Sequence, residues 1–181
     1  MRWLAIVSGL TMLCAVPAFA AQDEVETPDG VLNPEQLTIH SIVKRYDFAH
    51  GSLTYCAYGY AATKAGDYTD GVDIFKKCSE HGSDASSIWM SFMSENGFGV
   101  PKNPKDAAAW AKKAADRGYK VGQFDYGLAL LTGDGVRHDE AEGKRMIGLA
   151  AAQGDTAAKQ LIESGYNLDL AIPDPDRAPS F

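Results

Sequence analysis

Between Gly118 and Gly133 the apolar residues Phe124, Leu128 and Leu131 recur three or four positions apart, a spacing that predicts one helix. A second polar-to-apolar switch follows at Asp139, where an Asp suited to cap a helix is followed three residues later by Glu142. Both signals recur at a fixed interval. The polar starters Asp67, Asn103 and Asp139 stand thirty-six residues apart, each with an acid three positions on, at Asp70, Asp106 and Glu142. Gly82, Gly118 and Gly154 keep the same interval and follow helical stretches, where a left-handed glycine ends a helix. Gly97 matches Gly133, and Gly99-Val100 matches Gly135-Val136. Pro104 follows Asn103 at the first helical position, where its missing N–H is harmless. One unit therefore reads as a helix, a G-x-G-V loop and a second helix, and the chain as an array of such hairpins.

The pattern Tyr126-Gly127, Leu130, Gly133, Gly135-Val136, Ala141, Met146, Ala150-Ala151 and Gly154 resembles the Sel-one-like repeat, a relative of the tetratricopeptide repeat. The preceding unit matches at Gly97, Gly99-Val100, Ala107, Trp110, Ala114-Ala115 and Gly118, with Trp110 at a position usually aromatic in that family. The first unit departs: Tyr58-Gly59 aligns with Tyr126-Gly127, but Ala65-Gly66-Asp67 replaces the G-x-G-V loop. The resemblance spans residues 52–165 and implies an all-α fold, an α-solenoid of about three helical hairpins stacked with a right-handed turn.

Flanking this array, residues 1–20 carry Arg2, an apolar run and Ala18-Phe19-Ala20, which reads as a cleavable signal peptide. The run is short for a membrane span, so no stable anchor is expected after cleavage. Residues 21–51 read as an acidic arm followed by a short helix bearing Leu37, Ile39, Ile42, Val43 and Tyr46, expected to cap the open end of the array. The segment Asp155 to Gly165 reads as the opening helix of an incomplete unit. Residues 166–181, with three prolines, form a C-terminal tail expected to lie extended.

Cleavage leaves Cys56 and Cys78 of the three cysteines, in an oxidising compartment. With the first hairpin turning at Ala65 to Asp67, the two lie at similar distances from the turn, so a disulfide is the leading reading and two buried thiols the alternative. The family resembled includes secreted, cysteine-rich members stapled in this way. The net charge of -7 becomes about -8 once Arg2 is lost, which disfavours nucleic acid as a partner. His40, His50, His81 and His138 are scattered and form no ligand set, and no cofactor or metal is expected. The Gly133-Asp134-Gly135 stretch lacks the alternating oxygen ligands of a calcium loop.

The geometry of stacked hairpins directs attention to the concave side lined by the first helices, where such families bind partner proteins. Val121, Asp125, Ala129 and Thr132 share one face of the central unit, and Ala85, Trp89, Met93 and Asn96 are their equivalents one unit earlier. Trp89 and Met93 are expected to form an apolar anchor beside acidic Asp125, with burial in the core as the alternative. The chain then reads as a periplasmic or secreted protein-interaction adaptor, not an enzyme. Ser41-x-x-Lys44 offers a different reading, a serine acylating enzyme of the penicillin-recognising type, although no S-D-N or K-T-G partner motif follows. An envelope-assembly factor differs from the adaptor only in its partner.

Overall fold

The computed structural model describes residues 52–170. The expected signal peptide, the 21–51 arm with its short helix, and residues 171–181 lie outside the described residues. Among the described residues are seven α-helices and no strand: α1 Leu53–Lys64, α2 Tyr68–Glu80, α3 Asp84–Asn96, α4 Pro104–Asp116, α5 Lys120–Thr132, α6 Glu140–Ala152 and α7 Thr156–Glu163. They pair as the hairpins α1/α2, α3/α4 and α5/α6, with α7 opening a further unit.

Local chemistry sets these boundaries. Each second helix begins at a side-chain cap: Asp67 accepts the Asp70 N–H at 3.1 Å, Asn103 that of Lys105 at 3.1 Å, and Asp139 that of Glu142 at 3.1 Å. Asn103 also donates its amide to the Asp106 carboxylate at 2.7 Å, so cap and acid hold each other. Each second helix ends on a left-handed glycine, Gly82, Gly118 or Gly154. The N–H that follows each turns back to the last helical turn: Ser83 to Cys78 O, Tyr119 to Ala114 O and Asp155 to Ala150 O, at 3.0, 3.1 and 3.0 Å. These bonds satisfy carbonyls that a helix end leaves open.

Two longer loops close the second and third hairpins in the same way. Gly97 and Gly133 end α3 and α5 in the left-handed region. The Asn103 N–H donates to Ser94 O at 2.8 Å and the Asp139 N–H to Leu130 O at 3.0 Å, pinning each loop across the hairpin mouth. The second glycine of each loop reaches the neighbouring unit. A Cβ on Gly99 would meet the Tyr68 carbonyl at 2.5 Å, and one on Gly135 would collide with the Pro104 carbonyl. Tyr68 and Pro104 are the first residues of α2 and α4, so both loops press on the same point one unit back. A positive φ and a neighbour's backbone together demand glycine there.

Within the hairpins, small residues let the helices cross closely. Gly127 faces Gly143 in α5/α6, and in α3/α4 the crossing is made by Ser91, whose hydroxyl donates to Ala107 O at 2.9 Å. Three apolar clusters follow along the chain: Tyr55, Cys56, Ile74 and Cys78; Phe75, Trp89, Met90 and Met93; and Phe124, Leu131, Ile147, Ala150, Ala158 and Leu161. Cys56 and Cys78 are joined by a disulfide, Cα to Cα 5.9 Å, that ties α1 to α2 inside the first cluster.

The start of the tail departs from the extended course expected of it. The Tyr166 N–H returns to Leu161 O at 2.8 Å, the Asn167 side chain accepts the Asp169 N–H, and Leu168–Leu170 form a 3-10 turn. Local side-chain bonding of this kind competes with an extended backbone.

Candidate interaction surface

The residues expected from the sequence to form a binding face lie on the first helix of each unit. Trp89 and Met93, expected to stand open on α3, are instead 3% and 1% exposed. The Trp89 ring stacks on Phe75 of α2 at 5.3 Å and meets Tyr60 of α1 and Phe92 edge-on, at 5.5 and 5.8 Å. The expected anchor is thus corrected to core: the first two hairpins close over it, because α3 is apolar on several sides and its largest ring fills their junction.

What this packing leaves at the surface lies one position round the helix. Tyr60, Phe92 and Leu128 are equivalent in the three units, Phe92 and Leu128 by the thirty-six-residue interval and Tyr60 through the Tyr58-Gly59 match. Tyr60 is 36% exposed, and Phe92 and Leu128 are half-buried. Trp89 touches both Tyr60 and Phe92, so the two rings are held from beneath. Lys64 lies over the Tyr60 ring at 5.4 Å. Sequence reasoning missed Tyr60 and Phe92, although the alignment of Tyr60 with Leu128 was a signal for the position.

Asp125 is half-buried on α5. Tyr119, at the α5 N-terminus, has its phenol pushed above the ordinary range by burial first, and then by the charges of Asp84 and Asp125. Asp84 itself pairs with Arg117 at 3.2 Å. Beside them, burial and then the Arg117 charge hold the Lys113 ammonium below its usual range, while its nitrogen lies 5.1 Å over the Trp110 ring. Arg117 and Gln153 both follow a second helix; Arg117 reaches Asp84 at the start of the first helix of its own hairpin, while Gln153 reaches back to the end of the preceding unit. Gln153 donates to Gly118 O at 2.9 Å and to the Gln123 side chain at 2.7 Å. These bonds stiffen the edge of the array.

The remaining candidates are quickly placed. Gly82, Gly118 and Gly154 end second helices, Gly97 and Gly133 end first helices, and Gly99 and Gly135 make the contacts between units. Trp110 packs half-buried against the second cluster. His81 and His138 are exposed. Ser41 and Lys44 lie outside the described residues. Among the described residues, no group of three His, Cys, Asp or Glu side chains could hold a metal ion, and no helix is long and apolar enough to cross a membrane.

Known proteins share this repeat. The Sel1 repeat matches residues 85–119 and 120–155. A Sel1 repeat protein from Oxalobacter formigenes is 26% identical with a TM-score of 0.56, over 65% of this chain and 47% of that one. The protein c5321, a protective antigen of uropathogenic Escherichia coli strains displaying an SLR fold, is 23% identical with a TM-score of 0.54, over 62% and 27%. Helicobacter pylori cysteine rich protein B is 18% identical with a TM-score of 0.50, over 70% and 98%. The chain therefore spans less than half of the first of these and about a quarter of the second. No curated protein matches it. The chain carries two matches to the Sel1 repeat, and its fold is the helical-repeat solenoid of the Sel1 repeat proteins.

Proposed function

We propose that this protein is an exported, non-enzymatic adaptor of the bacterial envelope that binds a protein partner along the first-helix side of its array. The observation that carries the reading is the line of Tyr60, Phe92 and Leu128, one side chain from each unit, half-open at the surface and braced on a filled core. Aromatic side chains held rigid by their neighbours lose little entropy on binding, which suits them as interface anchors. Asp125 adds an acidic group on the same helix as Leu128. Export is supported by the apolar run and Ala18-Phe19-Ala20 near the N-terminus. It is supported again by the Cys56–Cys78 disulfide, which suits an oxidising compartment such as the periplasm.

The test is capture from envelope extract with the mature, oxidised chain as bait, beside two variants of unchanged helicity: Phe92→Ala/Asp125→Lys on the proposed face and Lys105→Glu on α4. The reading expects a protein retained by wild type and Lys105→Glu and lost with the double variant. Equal retention by all three baits would reject the face, and fractionation that left the unprocessed chain in the cytoplasm would reject the location.

A further inference from the structure

The Cys56–Cys78 disulfide closes a ring of contacts that runs through the interaction face. Cys56 lies one turn before Tyr60 on α1, and Phe75 one turn before Cys78 on α2. Between those two turns the aromatic rings meet in series. Tyr60 touches Trp89 of α3 edge-on at 5.5 Å, and Trp89 stacks on Phe75 at 5.3 Å. The circuit thus passes from Tyr60 through Trp89 and Phe75 to Cys78 and returns through Cys56, with the S–S bond as its closing link. Phe92, the next residue of the face, meets Trp89 at 5.8 Å and depends on the same circuit. Leu128 of α5 packs on the third cluster instead.

The first hairpin is also held differently from the others. The second and third are pinned across their mouths by the Asn103 and Asp139 N–H bonds of their long loops. In the first, a short turn at Ala65 to Asp67 holds the end of α1 remote from Cys56, through the Asp67 N–H to Ala62 O at 2.9 Å. The disulfide holds the other end. Both sulfurs are sealed, Cys56 being 2% and Cys78 0% exposed. A reductant therefore reaches the bond only when α1 parts from α2, and that same motion withdraws Tyr60 from Trp89.

We propose that the Cys56–Cys78 disulfide gates the interaction face, oxidation setting Tyr60 on Trp89 and reduction releasing it. The inference rests on the partner-binding reading of that face given above. Forming the bond takes two electrons and two protons from the two thiols and passes them to a disulfide oxidant, which leaves as two thiols; a dithiol reductant reverses the step. A chain still in a reducing compartment carries Leu128 and Asp125 with an unset Tyr60 end, and full affinity arrives with oxidation. A rigid, preset ring loses less on binding than a mobile one. By linkage the dependence is mutual: a partner bound about tenfold tighter by the oxidised chain lowers the reduction potential of the disulfide by about 30 mV.

The experiment compares the mature oxidised chain with Cys56→Ala/Cys78→Ala and, should that variant fail to fold, with wild type reduced by dithiothreitol. Without a partner, opening the bond should speed amide exchange in residues 53–64 by about tenfold and leave residues 120–152 unchanged. In a Trp110→Phe background Trp89 is the one tryptophan left in the mature chain, and its near-ultraviolet circular dichroism should shrink on opening. With the captured partner, opening should weaken Kd by about tenfold, the usual contribution of one aromatic anchor. Tyr60→Ala should weaken the oxidised chain equally and the opened chain no further, whereas Leu128→Ala should weaken both alike. Unchanged exchange and ellipticity, or a Tyr60→Ala loss that adds in full to that of opening, would overturn the gate and leave the face standing. An oxidised chain that binds no partner would reject the face itself, and the gate with it.

Discussion

Replacing Gly135 by Ala should loosen the contact between the second and third hairpins. Two effects add. The residue sits at φ 69°, in the left-handed region, where a Cβ is disfavoured by about 1–2 kcal/mol. That Cβ would also collide with the Pro104 carbonyl, with the Lys105 nitrogen at 2.9 Å. These are backbone atoms in the first turn of α4 and cannot swing aside as a side-chain tip would, so the overpacking cost of about 1–3 kcal/mol applies. The combined loss is about 3 kcal/mol. Gly118→Ala is the matched control: its φ is 85°, but nothing lies within 4 Å of the added Cβ, so it should lose only about 1 kcal/mol. With a urea dependence of about 2 kcal/mol per molar, far-ultraviolet circular dichroism should place the Gly135→Ala midpoint about 1.5 M below wild type and the Gly118→Ala midpoint about 0.5 M below. Equal midpoints for the two variants would refute the reasoning, because the contact between units would then contribute nothing beyond backbone strain.

Other consequences follow from named contacts. Opening the Cys56–Cys78 link frees a loop of sequence separation 22, so urea unfolding with and without reductant should differ by about 3 kcal/mol; no difference would mean that the unfolded chain gains nothing from release. Trp89→Ala empties the junction of the first two hairpins and should destabilise by about 3–5 kcal/mol in thermal melts; a near-neutral result would return Trp89 to the surface. Burial, and then the charge of Asp134, raise the Glu95 carboxyl above the usual 4.5, with Lys102 opposing them. The folded chain then holds this proton more tightly than the unfolded chain, so stability falls as pH rises from the ordinary carboxylate value through the raised one. Glu95→Gln should be the more stable chain at pH 7 and should lose its advantage below about pH 4; an advantage independent of pH would contradict this.

The helical punctuation was legible in the sequence because it is local. A cap at Asp67, Asn103 or Asp139 bonds within its own first turn, and a glycine such as Gly118 ends a helix through bonds to its own last turn. The thirty-six-residue interval then exposed the array. The face was less legible, because α3 reads Ile88, Trp89, Met90, Phe92 and Met93 almost continuously and its periodicity favours no single side. Which of these residues is covered depends on how α1 and α2 stack against α3, and that contact joins residues far apart in sequence, such as Tyr60 and Trp89. Gly99 and Gly135 carried a sequence signal as loop glycines, but their pressure on Tyr68 and Pro104 of the neighbouring unit is a tertiary fact.

The central claim is that a partner is held along the side bearing Tyr60, Phe92, Leu128 and Asp125. The most direct measurement is the dissociation constant of the captured partner for wild type, Phe92→Ala, Asp125→Lys and Lys105→Glu, by titration calorimetry on chains of equal helicity. The account predicts a weakening of about tenfold or more for each of the first two substitutions and an unchanged constant for Lys105→Glu. Unchanged constants for Phe92→Ala and Asp125→Lys, with a loss at Lys105→Glu, would place the partner on the outer helices and contradict it.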